Sequence, residues 1–114
     1  MPRILVVDDD RVSRRVIESQ IAQVARDVIC CEDGETAWKL INTEPYPDIL
    51  ILDWFLPGFT GLELCQMQQR SSLPFMYKMI VSGIANREQI VEALHSGAHD
   101  VILKPVDLPL LETR

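Results

Sequence analysis

The chain has 114 residues, of which 47% are hydrophobic and 25% charged, and a formal net charge of −6. That length suits one domain around a single core and is too short for two, and the composition is that of a globular protein. The acidic balance, with no Lys/Arg cluster to offset it, excludes recognition of nucleic acid through a basic surface.

Residues 3–7 (RILVV) read as a first strand. Over residues 11–24 the pattern is helical, with Val16, Ile17, Ile21 and Val24 as its apolar stripe. DVICC (27–31) is a second strand, 33–43 a helix capped by Asp33, and DILIL (48–52) an apolar third strand after the breakers Pro45 and Pro47. Thr60 and Glu63 form a capping-box pattern that opens a helix to about residue 70. KMIVS (78–82) is the fourth strand, Asn86 caps a helix that Gly97 stops, and VIL (101–103) is the fifth strand. Asp107 then caps a last helix that Leu108, Leu110 and Leu111 begin to fill. Either this helix is short or truncated, or residues 1–114 are the N-terminal domain of a longer protein.

Five βα units with continuously apolar strands predict an α/β fold: a parallel sheet with helices on both faces. Right-handed crossovers leave the flavodoxin-like strand order 2-1-3-4-5 as the natural topology. The N-terminus lacks the apolar run and cleavage site of a signal peptide, and nothing approaches the roughly 20 apolar residues of a membrane span. A cytoplasmic protein with no membrane contact is the expectation. Cys30, Cys31 and Cys65 fit neither a disulfide framework nor a CxxC metal site and read as buried thiols of a reducing compartment.

The stretch ILVVDDD (4–10) drives an apolar strand into three aspartates. Carboxylates crowded this way disfavour one another's ionisation unless something positive sits among them. Other polar residues break the apolar runs at matching places: Asp8 and Asp9 after strand 1, Asp53 after strand 3, Ser82 closing strand 4 and Lys104 after strand 5. Each lies at the carboxyl end of a strand, where open α/β sheets hold their ligands. Singly, an Asp after a strand is a cap or turn former and a lone Lys is solvated; together the five define one crevice. Acids of this kind suit a hard cation such as Mg²⁺, which takes oxygen ligands and shares phosphate oxygens. The hydroxyl and ammonium suit the remaining phosphate oxygens, and a carboxylate beside them can act as nucleophile toward phosphorus. Phosphoryl transfer needs mainly positioning and charge neutralisation.

The motifs VVDDD (6–10), DWFLPGFTG (53–61), IVSG (80–83), SGAHD (96–100) and LKP (103–105) occur in the order and spacing of one family, and the chain resembles the receiver domain of bacterial two-component response regulators. The resemblance covers essentially all of the chain. It implies that Asp53 accepts a phosphoryl group from a sensor histidine kinase or phosphotransfer protein. It also implies that Asp8, Asp9, Asp53 and the backbone carbonyl of Trp54 hold Mg²⁺, that Ser82 binds a phosphoryl oxygen, and that Lys104 pairs with Asp53 or its phosphate. The family often has a cis bond after this lysine, here Lys104–Pro105. A C-terminal output domain, and a homodimer through helix 4, strand 5 and helix 5, are further implications.

Some positions depart from the family pattern. Val101 stands three residues before Lys104, where the family usually carries a switching Tyr or Phe. Asp10 lies outside the required acidic pair and is expected to cap the first helix. Phe55 and Ile84 are bulky and apolar at the expected rim, where they would crowd out the water that hydrolyses an acyl phosphate. Trp54, Phe55 and Phe59 cluster in one loop and either pack over the site or dock a partner. Three other readings stand beside the receiver. The first is a haloacid-dehalogenase-like phosphatase with Asp8 as nucleophile, from the DxDxV pattern of residues 8–12. The others are a receiver-like binding module that takes no phosphate, and a flavin carrier, which the acidic cluster would repel.

Overall fold

The structure is a computed structural model that describes residues 1–83 and 86–104. Its strands are β1 (Arg3–Val7), β2 (Asp27–Cys31), β3 (Ile49–Asp53), β4 (Tyr77–Ser82) and β5 (Asp100–Leu103), and they form one parallel sheet in the order β2-β1-β3-β4-β5. Between them lie α1 (Arg11–Ile21), α2 (Gly34–Ile41), α3 (Gly61–Arg70) and α4 (Arg87–His95). This is the flavodoxin-like arrangement that the sequence predicts. The helix expected from Asp107 onward and the Lys104–Pro105 bond lie outside the described residues.

Side chains of a strand alternate between faces, so each strand feeds two cores. Leu5, Val7, Leu50, Leu52 and Ile80 pack with Ala37, Ile41, Leu64 and Ala93 of α2, α3 and α4. Ile4, Val6, Ile51, Met79, Val81 and Ile102 pack with Ile17 and Ile21 of α1. Both faces are thereby covered, which explains why the strands read as continuous apolar runs.

The stripe expected on α1 is narrower than predicted. Ile17 and Ile21 are buried, whereas Val16 is 40% and Val24 38% exposed. The helix ends at Ile21, so Val24 falls in the following turn, and an i, i+4 pair is all that this helix presents to the sheet. Cys31 and Cys65 are buried and Cys30 half-buried, all as free thiols. Burial pushes the Cys65 thiol up to about 12, which leaves it unreactive.

Every helix start among the described residues is capped as expected. Asp10 accepts from the Val12 amide at 3.2 Å and Asp33 from the Thr36 amide at 2.7 Å. Thr60 and Glu63 exchange hydrogen bonds of 3.2 and 3.0 Å, and Asn86 and Gln89 do the same at 2.9 and 3.0 Å. Gly97, at φ +102°, ends the α4 segment in a conformation that disfavours side chains. Because the α3 cap also orients the loop leaving β3, Thr60→Ala should lower stability by about 1 kcal/mol in urea unfolding, with an unchanged denaturant slope.

Candidate functional site: an acidic pocket at the carboxyl edge of the sheet

Backbone hydrogen bonds carry the parallel ladder one residue past the strands and so fix where the polar residues stand. The Asp8 amide donates to Cys31 O at 3.1 Å, the Trp54 amide to Val81 O at 3.1 Å and the Lys104 amide to Ser82 O at 2.8 Å. Asp53, the last residue of β3, is in register with Val81 of β4. The predicted residues are thereby brought to one edge, at the point between β1 and β3 where the crossovers change direction.

Carboxylate oxygens of Asp8, Asp9 and Asp53 lie within 4.8 Å of one another. Lys104 Nζ sits 3.1 Å from Asp8 Oδ2 and 3.4 Å from Asp53 Oδ2. Three carboxylates and one ammonium leave two negative charges on a cluster in which Asp8 and Asp53 are buried and Asp9 is exposed. Asp8 is 1% exposed. Its Oδ1 accepts from the Asp10 amide at 2.9 Å, while among the described residues the buried Oδ2 has the ion pair to Lys104 as its one polar contact. Burial, then the neighbouring Asp8 carboxylate, pushes Asp53 up to about 6 despite the pull of Lys104. Burial opposes the Lys104 charge too, but the carboxylates of Asp8 and Asp53 outweigh it and hold this ammonium above the ordinary lysine range.

An all-oxygen set with a net charge of minus two and a buried, under-satisfied carboxylate oxygen fits a hard divalent cation of the Mg²⁺ class. The Trp54 carbonyl accepts from the Gly61 amide at 3.0 Å, which leaves its second lone pair for such an ion. Asp10 caps α1 through its side chain, as expected. Ser82 is 1% exposed at the end of β4, beside Asp53 on the neighbouring strand. Trp54 belongs to the core and Phe59 packs against it, whereas Phe55 is 65% exposed with its ring 6.1 Å from that of Trp54. The aromatic loop thus divides into two packing residues and one open one. Val101 is half-buried against the core, and Ile84 and Pro105 lie outside the described residues.

Two kinds of site residue escaped the sequence reading. Arg14 of α1 donates to the Asp8 carbonyl at 2.7 Å and so braces the loop after β1. Gly34 and Gly61 permit the loop after β3 to lie where it does. A Cβ on Gly61 would stand 2.4 Å from the Asp53 carbonyl oxygen, and one on Gly34 would stand 2.0 Å from that of Phe59. A glycine directly after a cap or inside a turn was the only available signal, and it does not say what approaches.

These features define a doubly wound α/β domain with an acidic pocket at its switch point. Residues 4–114 match the family model of the response regulator receiver domain. The chain belongs to that family, whose members are signalling domains. It is 32% identical over 115 residues to the transcriptional regulatory protein AfsQ1 of Streptomyces coelicolor, covering 100% of this chain and 49% of that one. It is 29% identical over 114 residues to the chemotaxis protein CheY of Pseudomonas aeruginosa, covering 98% of this chain and 91% of that one. The receiver domain of the Francisella response regulator 1452 superposes with a TM-score of 0.90 at 29% identity, covering 100% of this chain and 93% of that one. The chain spans about half the length of AfsQ1 and of several other curated relatives that it matches. No helix among the described residues is long and apolar enough to cross a membrane.

The raised acid has a consequence for stability. A carboxyl held near 6 in the folded chain, above its value of 3.8 when unexposed to these neighbours, binds its proton more tightly when folded. Its contribution to stability is therefore full below about pH 4 and is lost as pH rises through 6. In chelator, Asp53→Asn should match wild type near pH 4 and exceed it by about 1–2 kcal/mol at pH 7, read by denaturant unfolding.

Proposed function

We propose that the chain is a phosphoacceptor that takes a phosphoryl group on Asp53 from a phosphohistidine of a sensor kinase or phosphotransfer protein. The observation that carries this reading is the meeting of Asp8, Asp9, Asp53 and Lys104 at one strand edge. A carboxylate oxygen of Asp53 attacks phosphorus, the P–N bond breaks with its electron pair going to the histidine nitrogen, and an aspartyl phosphate forms. Lys104 neutralises charge on the phosphoryl oxygens, and the Ser82 hydroxyl donates to one of them. Asp8, Asp9, Asp53 and the Trp54 carbonyl are the residues that would hold Mg²⁺, and the ion would supply further charge neutralisation. Asp53 rather than Asp8 is the nucleophile, since Asp8 is the more buried of the two and commits one oxygen to the Asp10 amide. That weighs against the phosphatase reading.

Phosphorylation then shifts a two-state equilibrium in the loops around Ser82. With Val101 in place of an aromatic ring, the readout uses another element. Exposed Ile90, Val91 and Leu94 of α4 and Leu103 of β5 favour the α4 and β5 face for contact with a second copy or an output domain. The cytoplasm is the compartment in which a phosphohistidine donor would meet this chain.

Intact-mass spectrometry after incubation with acetyl phosphate and Mg²⁺ tests the acceptor. One phosphoryl adduct should appear on wild type, disappear on chelation and be absent from Asp53→Asn. An adduct that survives Asp53→Asn but not Asp8→Asn would restore the phosphatase, and no adduct at all would leave a binding module. In the same assay, Phe55→Asn should lose its phosphoryl group several-fold faster than wild type, since the exposed ring is the part of the rim that would hinder water. Equal or slower loss would remove Phe55 from that role.

A further inference from the structure

The amino edge of the sheet, opposite the acidic pocket, carries a second concave site. A groove of about 240 Å³ opens there, lined by Gln68, Gln69, Phe75, Lys78, Gly97 and His99 among others. Lys78 is 3% exposed, next in its strand to the wholly buried Ile80 face. Its Nζ donates to Met76 O at 2.8 Å and lies 5.5 Å from the centroid of the Phe75 ring. Among the described residues no carboxylate forms an ion pair with it, in contrast to Lys104, which has two. The titratable groups near it are the Cys65 thiol and His99, neither of which supplies a negative charge at neutral pH. Burial pulls the Lys78 ammonium below its ordinary range.

The groove also has an aromatic wall. His99 Nδ1 accepts from the Lys78 amide at 3.0 Å, and the ring stacks on Tyr77 at 4.9 Å. Phe75 meets it edge-on at 5.2 Å and is itself 72% exposed. A buried cation and an exposed aromatic ring side by side are each the unusual case for their residue type.

We propose that this groove binds a small organic carboxylate, with its anionic head on the Lys78 ammonium and its apolar body against Phe75 and His99. Among the described residues a single cation lines the groove, and in a chain of net charge −6 this favours a monoanion over a phosphate. Gln68 and Ser71 already donate to the carbonyls of Pro74 and Gln68, so the extra oxygens of a phosphate would meet no second cation. The volume is below that of sites for drug-sized molecules and suits a single ring. Because the groove and the acidic pocket lie at opposite edges, the failure of one assignment does not touch the other.

Calorimetric titration of the chain with sodium benzoate, acetate and inorganic phosphate, with amide chemical shifts to locate the site, tests the proposal. Benzoate should saturate at about millimolar concentration, acetate should bind several-fold more weakly, and shifts should centre on residues 73–78 and 97–99. Lys78→Met should melt at or above the wild-type temperature, because it removes a buried charge, and should lose at least tenfold in benzoate affinity. Phe75→Ala, at an exposed position, should weaken benzoate and spare acetate. Undiminished benzoate binding by folded Lys78→Met, no saturation below ~20 mM, or tighter binding of phosphate than of benzoate would each overturn the assignment. Should Lys78→Met not fold, unchanged benzoate affinity in Phe75→Ala would overturn it instead.

Discussion

The site rests on one contact, the Lys104 ammonium held between Asp8 and Asp53 at 3.1 and 3.4 Å. These three side chains come from the ends of β5, β1 and β3, and no pair of them is close in sequence. They meet because β3 lies between β1 and β4, and because the Lys104 amide continues the β4–β5 ladder onto Ser82. The sheet order is therefore a condition of the electrostatics: an acidic cluster without that ammonium would carry three mutually repelling charges. With it, the remaining two charges match a divalent cation, and the pocket is poised for ligand rather than closed on itself.

A second constraint comes from the loop between β3 and α3. Gly61 lies against the Asp53 carbonyl and donates to Trp54 O, while Gly34 of α2 donates to Pro57 O. The loop is tied together at its ends by the first residue of its own helix and held at its middle by the start of α2. Burial of Trp54 anchors it to the core from below. Under those three restraints the Trp54 ring is held in the core and the Phe55 ring is left exposed, so one backbone path both anchors the loop and leaves an apolar surface on it.

The fold was legible because its signals are local and redundant. Apolar runs of five residues, caps at Asp10, Asp33, Thr60 and Asn86, and Gly97 as a stop each act within a few residues of chain. The acidic pocket was legible for a different reason: its members interrupt otherwise apolar strand ends, and topology then places them together. What could not be read were contacts made across the fold by residues ordinary in their own segments. Arg14 looks like any exposed helix arginine until its reach to the Asp8 carbonyl is known. Val16 and Val24 satisfy the helical period yet face away, since the width of a buried stripe depends on what the sheet offers it. Lys78 opens an apolar strand as a lysine often does, and nothing in KMIVS says that its ammonium stays inside.

Parallel strands with following helices make two unlike edges. Among the described residues every helix start gathers at the carboxyl edge beside the acidic pocket, and the partial positive charges there favour carboxylates and phosphate. The helix ends, with their unpaired carbonyls, gather at the amino edge, and the C-terminal end of α3 leads into the Ser71–Pro74 turn that borders Lys78. That polarity explains why acids are tolerated at one edge and a buried lysine at the other. It does not equalise them. The carboxyl edge has a full ammonium within its cluster, whereas the partial charge of a helix end is about half a unit at most, and among the described residues the ammonium of Lys78 has no full counter-charge. An uncompensated cation beside an open groove is the condition under which an anionic ligand gains most from binding.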